Sequence, residues 1–449
     1  MSENALIKVG CSLLKLFRST LDWLAGSSGR AFVLIFILAF GIRAYSLKDV
    51  RPWDLIPSPE RELGAIVRSL VETGQFANPY ILETGPTAHL TPIPPAIFAL
   101  VYYLFGYQSI TGYIGIGLII MTNSLIYALM PWIADGLGAG RQAGFIGGLL
   151  GAFIVEFEWG YHGEGLTAVL LGLMLVAFLR RWNDGQHPFR DAVLLGLGVG
   201  ISFHVQPALL PVFLGCLAFE TGWHRTKRKA AITGMLVLGV VLACAPWAWR
   251  NYVVFHEFFF IRSNLGLELR MGNHDGAAAT MDETIAQMIR QGEILHPRGS
   301  LNEAKILRDI GEMAYMHQAM SETLAWVWKN PLEFFKLTFL RFIHFWFGPL
   351  ARSFTSILVA ALTILAILGT RRILPNLPLP RRILVLTPLI TYPLVYYFVP
   401  YMARYRMPID WILFLLAGVE IWGWFDPKKG GLRTRPGRNN EKNIHIGGG

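Results

Sequence analysis

Long runs of apolar residues constrain this 449-residue chain more than any other feature of its sequence. Several runs of about 16 to 24 residues carry no charge, and an α-helix of that length can cross the hydrocarbon core of a bilayer. Hydrophobic residues make up 53% of the chain and charged residues only 16%. The strands of a membrane β-barrel would instead be short and would alternate apolar with polar residues. The sequence therefore predicts an all-α, polytopic membrane protein.

The apolar runs divide into about ten transmembrane helices, with both termini on the cytoplasmic side. The predicted spans are 31–47, 110–133, 141–157, 163–180, 191–204, 207–221, 231–250, 353–370, 383–400 and 405–424. Two further apolar segments, 93–106 and 332–348, are ambiguous. If 93–106 crossed the membrane, the loop with Arg180 and Arg181 would move outside, which the positive-inside rule disfavours. We therefore expect 93–106 to be re-entrant or interfacial and 332–348 to be an interfacial helix.

The formal net charge of +10 follows membrane topology rather than a nucleic-acid surface. Lys and Arg concentrate in short segments at 180–181, 224–229, 371–372, 381–382 and 428–442. Short basic loops mark the cytoplasmic side and attract anionic lipid head groups, so we expect membrane lipids and no nucleic acid as partners. Residues 1–30 are predicted to be a cytoplasmic amphipathic segment, 31–424 the transmembrane domain, and 425–449 a disordered basic cytoplasmic tail.

Two long polar segments, 48–92 and 251–333, are predicted to lie outside the membrane. A loop as long as the first is usually functional or disordered, and the short helix predicted within it favours function. In the second, Ser300 and Glu303 form a capping-box pattern. It begins a predicted helix over 301–329, which Asn330 and Pro331 are expected to end.

Glu60 in the first of these segments is the leading candidate for catalysis. Ser58 is a good N-cap and Pro59 suits the first helical position, so Glu60 is expected in the first turn of a helix. A carboxylate there either complements the helix dipole or deprotonates an acceptor hydroxyl or amine at the external face. Glu62 lies about 200° round the same helix, so only one of the two can face a site, and Glu60 is preferred.

Further candidates lie later in the same segment and in one other predicted external loop. His89, in a rigid polar turn, is suited to hydrogen-bonding a substrate or binding a metal, although a lone loop histidine is often simply solvated. In the short loop 156–164, Glu158 and Glu164 are candidates for a second carboxylate, and His162 could assist them. Ionisable groups near membrane depth tend to be functional. The alternative is a wet interfacial loop with an aromatic belt, and the spacing of a strong metal motif is absent.

Arg404 and Arg406 lie at the predicted outer mouth of the last span, against the positive-inside trend. The guanidinium fork matches phosphate oxygens, so a lipid phosphate or pyrophosphate is their expected partner. Two alternatives stay open. The arginines could snorkel to outer head groups, or Arg406 could pair with Asp410 four residues later.

Several different short motifs, spread over most of the chain, together carry a resemblance to a known family. Each motif alone is weak. They are Arg43-Ala44-Tyr45, Glu60 with residues 65–76, residues 85–95 and 104–106, Gly272-Asn273-His274, residues 311–315, and residues 403–408. In these motifs the chain resembles bacterial membrane glycosyltransferases of the GT-C superfamily. The similar enzymes are the protein O-mannosyltransferase-like and aminoarabinose-transferase-like members, of the family 39 type.

The resemblance implies a GT-C-like transmembrane fold whose large first external loop carries a catalytic carboxylate. The donor would be a sugar linked to polyprenyl phosphate, transferred with inversion on the non-cytoplasmic face of the bacterial cytoplasmic membrane. The acceptor, a glycan, lipid or protein, is not specified. The catalytic candidates are Glu60, Glu158 and Glu164, and the substrate-binding candidates are Arg43, Asp54, His89, His162, Asn273, His274, Arg404 and Arg406. Many relatives have Asp-Glu where this chain has Pro59-Glu60, so Glu60 takes the base role, Asp54 supplies it, or the activity is altered.

Two other functions compete with the glycosyltransferase. A transporter or flippase of lipid-linked saccharides would share the phosphate-binding arginines but should carry ionisable groups near mid-span, where most of these spans are uncharged. A noncatalytic accessory protein could keep the fold after losing activity. No cofactor is certain, and a divalent cation is compatible with the carboxylates and histidines of the candidate loops.

Overall fold

A computed structural model describes residues 18–49, 61–154, 163–183, 188–223, 227–349 and 354–425. The described residues are about 80% helical and contain no β-strand. The predicted all-α class is therefore confirmed.

The helices follow one another along the chain with short connections. They are α1 (Ser28–Ser46), α2 (Glu62–Thr73), α3 (Ile93–Phe105), α4 (Ser109–Leu137), α5 (Arg141–Phe153), α6 (Glu164–Asn183), α7 (Pro188–Phe203), α8 (Leu210–Trp223), α9 (Lys227–Phe255), α10 (Leu265–Gly272), α11 (Met281–Gln291), α12 (Leu301–Ile310), α13 (Glu312–Lys329), α14 (Pro331–Phe347), α15 (Phe354–Ile373), α16 (Leu379–Thr391) and α17 (Met407–Phe425). Short 3-10 turns occur at Pro207–Leu209, Leu374–Asn376, Tyr392–Tyr397 and Ala403–Tyr405.

Six helices within the described ranges are long and apolar enough to cross a membrane. They are Ser28–Ser46, Ser109–Leu137, Glu164–Trp182, Ala230–Phe255, Phe354–Asn376 and Met407–Phe425. These several apolar helices indicate a multi-pass membrane protein.

The other four predicted spans are also helical but shorter. Helices α5, α7, α8 and α16 have 13, 16, 14 and 13 residues, so the count of ten stays a prediction. The ambiguous segments form α3 and α14, whose placement relative to a membrane likewise stays a prediction.

Helix α17 lies at the centre of the bundle, with 78% of its span buried. Glycines let neighbouring helices approach its backbone closely. A Cβ on Gly418 would lie 2.3 Å from the Ala143 carbonyl of α5, and a Cβ on Gly369 of α15 would meet the Leu416 carbonyl at 1.8 Å. Helices α7 and α9 pair in the same way, since a Cβ on Gly196 would lie 2.1 Å from the Leu236 carbonyl.

Helix α2 begins at Glu62. Its N-cap is Arg61, in an extended conformation without a side-chain cap, and Glu62 occupies the first turn. The predicted N-cap Ser58, with Pro59 and Glu60, lies outside the described residues. Because Arg61 is extended, Glu60 and Glu62 do not share one continuous helix, and the predicted 200° separation between them does not apply.

The predicted helix over 301–329 is divided into α12 and α13 at Gly311, whose φ of 85° and ψ of 157° no helix accommodates. The start at Ser300 is confirmed, because its hydroxyl accepts the Glu303 amide at 3.3 Å. The reciprocal half of the capping box is wrong. The Glu303 carboxylate contacts Arg270 at 2.6 Å instead. The predicted end at Asn330 and Pro331 is confirmed.

Candidate active site

A cavity of about 450 Å³ collects charged side chains from four distant parts of the chain. Three carboxylates and two arginines line it: Glu62, Glu164, Glu268, Arg262 and Arg404. One wall is apolar and is formed by Leu63, Leu90, Pro94, Pro95, Pro207, Leu210, Pro211 and Val399. The site therefore combines charged groups with a surface suited to hydrocarbon.

The break between α7 and α8 shapes one side of this cavity. Pro207 follows a non-helical Gln206, as the sequence predicts, and opens a short 3-10 turn. At this break, two backbone carbonyls outside the helices accept hydrogen bonds from the start of α3 and from the loop before it. The His204 carbonyl accepts the Ile93 amide at 3.2 Å, and the Val205 carbonyl accepts the Thr91 hydroxyl at 3.1 Å.

Glu62 lies between two histidines at the edge of the cavity. Its Oε2 is 3.1 Å from His89 Nε2, and its Oε1 is 3.2 Å from His296 Nε2. His89 is only 1% exposed, whereas Glu62 and His296 each keep 21% exposure. The solvated alternative for His89 is therefore wrong. Of the three residues, Glu62 is the one that lines the cavity.

Both ring Nδ1 atoms have a partner, and for His89 Nδ1 it is the Tyr80 hydroxyl at 3.1 Å. The Arg298 amide donates to His296 Nδ1 at 3.1 Å, so in the neutral ring the proton is on Nε2, pointing at Glu62. Burial lowers the pKa of His296, and Glu62 only partly opposes this. For His89, burial acts to lower the pKa, but the charge and hydrogen bond of Glu62 outweigh it and the pKa is raised. Glu62 is thus a carboxylate that accepts N–H donors from both sides.

Buried Glu312, at the start of α13, holds the loop that carries His89. Its carboxylate accepts the Thr87 hydroxyl at 2.5 Å, the Ala88 amide at 2.8 Å and the Ser263 hydroxyl at 2.6 Å. Arg250 adds a bond to the Thr87 carbonyl at 2.9 Å. The loop between α2 and α3 is therefore fastened to Ser263, before α10, and to the start of α13.

The arginine side of the cavity is loosely paired. Arg404 lies 3.6 Å from Glu164 at the start of α6, and Arg262 lies 3.8 Å from Glu268 of α10. Arg262 also donates to the His89 carbonyl at 2.8 Å. Both distances between charged groups exceed ordinary hydrogen-bond length, and both arginines line the cavity.

Three of the sequence-predicted residues are brought together here, because His89, Glu164 and Arg404 all belong to the cavity or its edge. Asp54, Glu60, Glu158 and His162 lie outside the described residues, so their roles stay predictions.

The other four predicted residues do not line this cavity. Arg43 is buried in the bundle, donates to the Gly151 carbonyl at 2.9 Å and lies over the Tyr127 ring. Arg406 pairs with Asp410 at 2.6 Å, which confirms that alternative, and lines a neighbouring cavity that Arg404 also borders.

Asn273 and His274 lie in the second external segment, away from Glu62. Asn273 is buried and donates to the Phe398 carbonyl at 2.9 Å. His274 Nδ1 lies 2.8 Å from the Asp275 carbonyl. The contact of Asn273 with Phe398 therefore connects the C-terminal end of α10 to the segment before α17.

Glu62, His296, Arg262 and Glu268 are the cavity residues that the sequence reasoning did not select. The sequence predicts a continuous helix from Ser58, on which Glu62 faces away from Glu60. Glu62 instead occupies the first turn of α2, which is the position predicted for Glu60. His296 lies in a loop more than 200 residues after His89, and no local signal joins the two.

A divalent cation fits this cluster only in part. Glu62, His89 and His296 offer ligand atoms that all lie within 4.8 Å of one another, and carboxylate with imidazole is a donor set that zinc accepts. A cation at His296 Nε2 would require the proton on Nδ1, where the Arg298 amide already donates. Binding by all three residues therefore requires loss of that amide contact.

Comparisons with protein-family models, curated proteins and solved structures find no match to this chain.

Proposed function

We propose that this chain is a membrane glycosyltransferase that transfers a sugar from a polyprenyl-phosphate donor to an acceptor on the non-cytoplasmic face of a bacterial cytoplasmic membrane. One observation carries the proposal. A single cavity is lined by the carboxylate Glu62, by two arginines that lie 3.8 and 3.6 Å from their carboxylate partners, and by an apolar surface. The sequence resemblance to GT-C enzymes supports the same donor class.

The donor assignment follows from the chemistry of the lining. A lipid-linked sugar phosphate presents hydrocarbon, an anionic phosphate and a polar ring to one site. The prolines and leucines of the apolar wall suit the first isoprene units, while Arg404 and Arg262 suit the phosphate oxygens. A preorganised positive charge at the departing phosphate is the kind of electrostatic stabilisation that usually contributes most to such a reaction.

The reaction is a direct displacement at the anomeric carbon. The acceptor oxygen or nitrogen loses its proton to Glu62 and attacks the carbon, while the bond from that carbon to the phosphate oxygen breaks. The electron pair of that bond leaves with the polyprenyl phosphate, whose added negative charge Arg404 and Arg262 meet. Attack opposite the leaving group inverts the anomeric configuration. Glu60 remains the competing base predicted from the sequence.

The contacts of Glu62 define the rest of its role. The two histidine N–H groups hold both carboxylate oxygens in place and favour the ionised form, so the base is oriented before the acceptor arrives. No step requires a metal here. If a divalent cation binds, Glu62 and His89 are the residues that would hold it, and it would supply positive charge beside the acceptor.

Turnover of the donor by purified full-length protein tests this assignment. Wild type, Glu62→Gln and Glu60→Gln are incubated with polyprenyl-phosphate sugars, and released polyprenyl phosphate is measured. Glu257→Gln is the matched control, because Glu257 is an external carboxylate that pairs with His317 outside the cavity. We expect loss of the general base to reduce release by about 100-fold or more in Glu62→Gln, with the control unchanged.

Other outcomes identify the alternatives. If Glu60→Gln loses activity and Glu62→Gln keeps it, Glu60 is the base. Release that is equal in all variants contradicts the base mechanism. An absence of release with every donor, together with movement of labelled lipid-linked sugar across proteoliposomes, would identify a flippase, and neither activity would indicate an accessory protein.

A further inference from the structure

A second charged cavity lies at the other end of the bundle from the candidate active site. It has a volume of about 510 Å³ and is lined by Trp132, Asp135, Gly136, Val176, Leu179, Arg180 and Arg381. Helix α6 connects the two cavities, with Glu164 at one end and Arg180 near the other. Sixteen residues of helix separate these side chains by about 24 Å, so the second cavity is a distinct site.

The charges around this cavity leave a local excess of two positive groups. Asp135 is already paired with Arg141 at 3.0 Å. Neither Arg180 nor Arg381 has an ion pair with a carboxylate among the residues that the structure describes. Arg180 instead lies over the ring of Trp132, at 5.5 Å from its centroid.

Other arginines at this end of the bundle form ion pairs with carboxylates of the described residues, unlike Arg180 and Arg381. Arg181 contacts Glu220 at 2.5 Å and Arg372 contacts Glu420 at 2.7 Å. The chain therefore has carboxylates that pair with partly buried arginines at this level, whereas Asp135, the carboxylate that lines this cavity, pairs with Arg141.

The backbone makes room for Arg381. Gly138 ends α4 with a φ of 86°, and a Cβ there would lie 2.8 Å from Arg381 Nη1. The guanidinium thus crosses the C-terminus of α4, whose partial negative charge attracts it. The contact with Gly138 therefore positions the Arg381 guanidinium at the cavity, and the contact with Trp132 positions that of Arg180.

We propose that Arg180 and Arg381 bind a phosphate group, with an anionic phospholipid of the cytoplasmic leaflet as its source. Guanidinium groups recognise phosphate oxygens with matched geometry, and basic pockets between helix ends on the cytoplasmic side take anionic head groups. Val176 and Leu179 line the same cavity, and Leu379, two residues before Arg381, is 43% exposed. These apolar groups give acyl chains a surface that a free phosphate would not use.

The test compares lipid retention by full-length protein from nanodiscs of equal phosphatidylglycerol and phosphatidylcholine, measured by native mass spectrometry. Arg180→Gln/Arg381→Gln is the test variant. Arg190→Gln is the matched control, because Arg190 lies at the same end but is exposed and adjacent to Asp191. We expect wild type and the control to retain phosphatidylglycerol, and the double variant to retain at least fivefold less.

A second arm separates the two sources of phosphate. Calorimetric titration of wild type with inorganic phosphate in neutral lipid should give no heat of binding. Heat that disappears in the double variant, with phosphatidylglycerol retention unchanged, would assign the site to a free phosphate and overturn the lipid source. Equal retention in all variants with no phosphate binding would overturn the site itself. Should the double variant not fold, the exposed single variant Arg180→Gln serves the same comparison.

Discussion

Replacing Glu312 by Gln should loosen the loop that holds His89 without changing the shape of the buried side chain. The amide oxygen of Gln can still accept the Ala88 amide and the Ser263 hydroxyl, which lie 2.8 and 2.6 Å from Oε1 in the wild type. The amide nitrogen cannot accept the Thr87 hydroxyl, which donates to Oε2 at 2.5 Å. One charge-assisted hydrogen bond of a buried group is therefore lost, and a bond of that kind contributes about 1.5–3 kcal/mol.

Hydrogen exchange reports this loss directly, because the Ala88 amide is one of the bonded groups. Since about 1.4 kcal/mol corresponds to a tenfold change in an equilibrium constant, local opening should increase by about 10- to 150-fold. Mass-spectrometric exchange of the peptide that covers residues 86–93 measures it, with Glu257→Gln as control. Unchanged exchange in Glu312→Gln would refute the view that Glu312 fastens this loop. Donor turnover should fall together with the faster exchange, because His89 and Glu62 lose their fixed relation.

Two further outcomes follow from the cavity. Arg404→Gln should reduce release of polyprenyl phosphate at least tenfold, because the departing phosphate loses a charge partner, while exposed Arg290→Gln should match wild type in the same assay. The pH dependence of melting temperature should also change in Glu62→Gln. The raised pKa of His89 stabilises the fold below the unfolded pKa of about 6.5, and this contribution is lost as pH rises through the folded pKa. The stability difference between wild type and Glu62→Gln should therefore be larger at pH 6 than at pH 8.5, and a difference that does not change with pH would contradict the pairing.

The bundle could be predicted from the sequence because spanning helices are encoded locally. An apolar run specifies both the length of a helix and its preference for a membrane. The last span, predicted at 405–424, is α17 at Met407–Phe425, and the first, predicted at 31–47, is α1 at Ser28–Ser46. The break before Pro207 was also local, since it depends on the missing proline N–H.

The external segments were harder to predict because tertiary contacts override local pattern there. The helical pattern over 301–329 is continuous, and the division at Gly311 lets Glu312 reach the loop with Thr87. Glu303 likewise contacts Arg270 rather than the amide at the start of α12. A buried arginine without a carboxylate costs more free energy than an N-terminal amide without a side-chain cap.

The candidate site was predicted in part. His89, Glu164 and Arg404 were selected from their unusual positions in polar turns and at span ends, and the structure brings them to one cavity. Glu62 was excluded by a rotation argument that depended on where α2 begins, and helix boundaries are the least certain feature of a sequence-based prediction. His296 and Arg262 could not be selected, because only the folded chain shows that they contact Glu62 and His89.

The distances within ion pairs separate structural arginines from those suited to a substrate. Arg181 and Arg372 contact their carboxylates at 2.5 and 2.7 Å, and a phosphate could approach them only by breaking a buried pair, which is strongly unfavourable. Arg262 and Arg404 lie 3.8 and 3.6 Å from theirs, beyond hydrogen-bond length. At that separation the carboxylate still offsets the charge of the arginine, and a phosphate does not have to break a short ion pair with that carboxylate. The loose pairs therefore let the cavity hold two arginines in the absence of donor and present them to the donor when it enters.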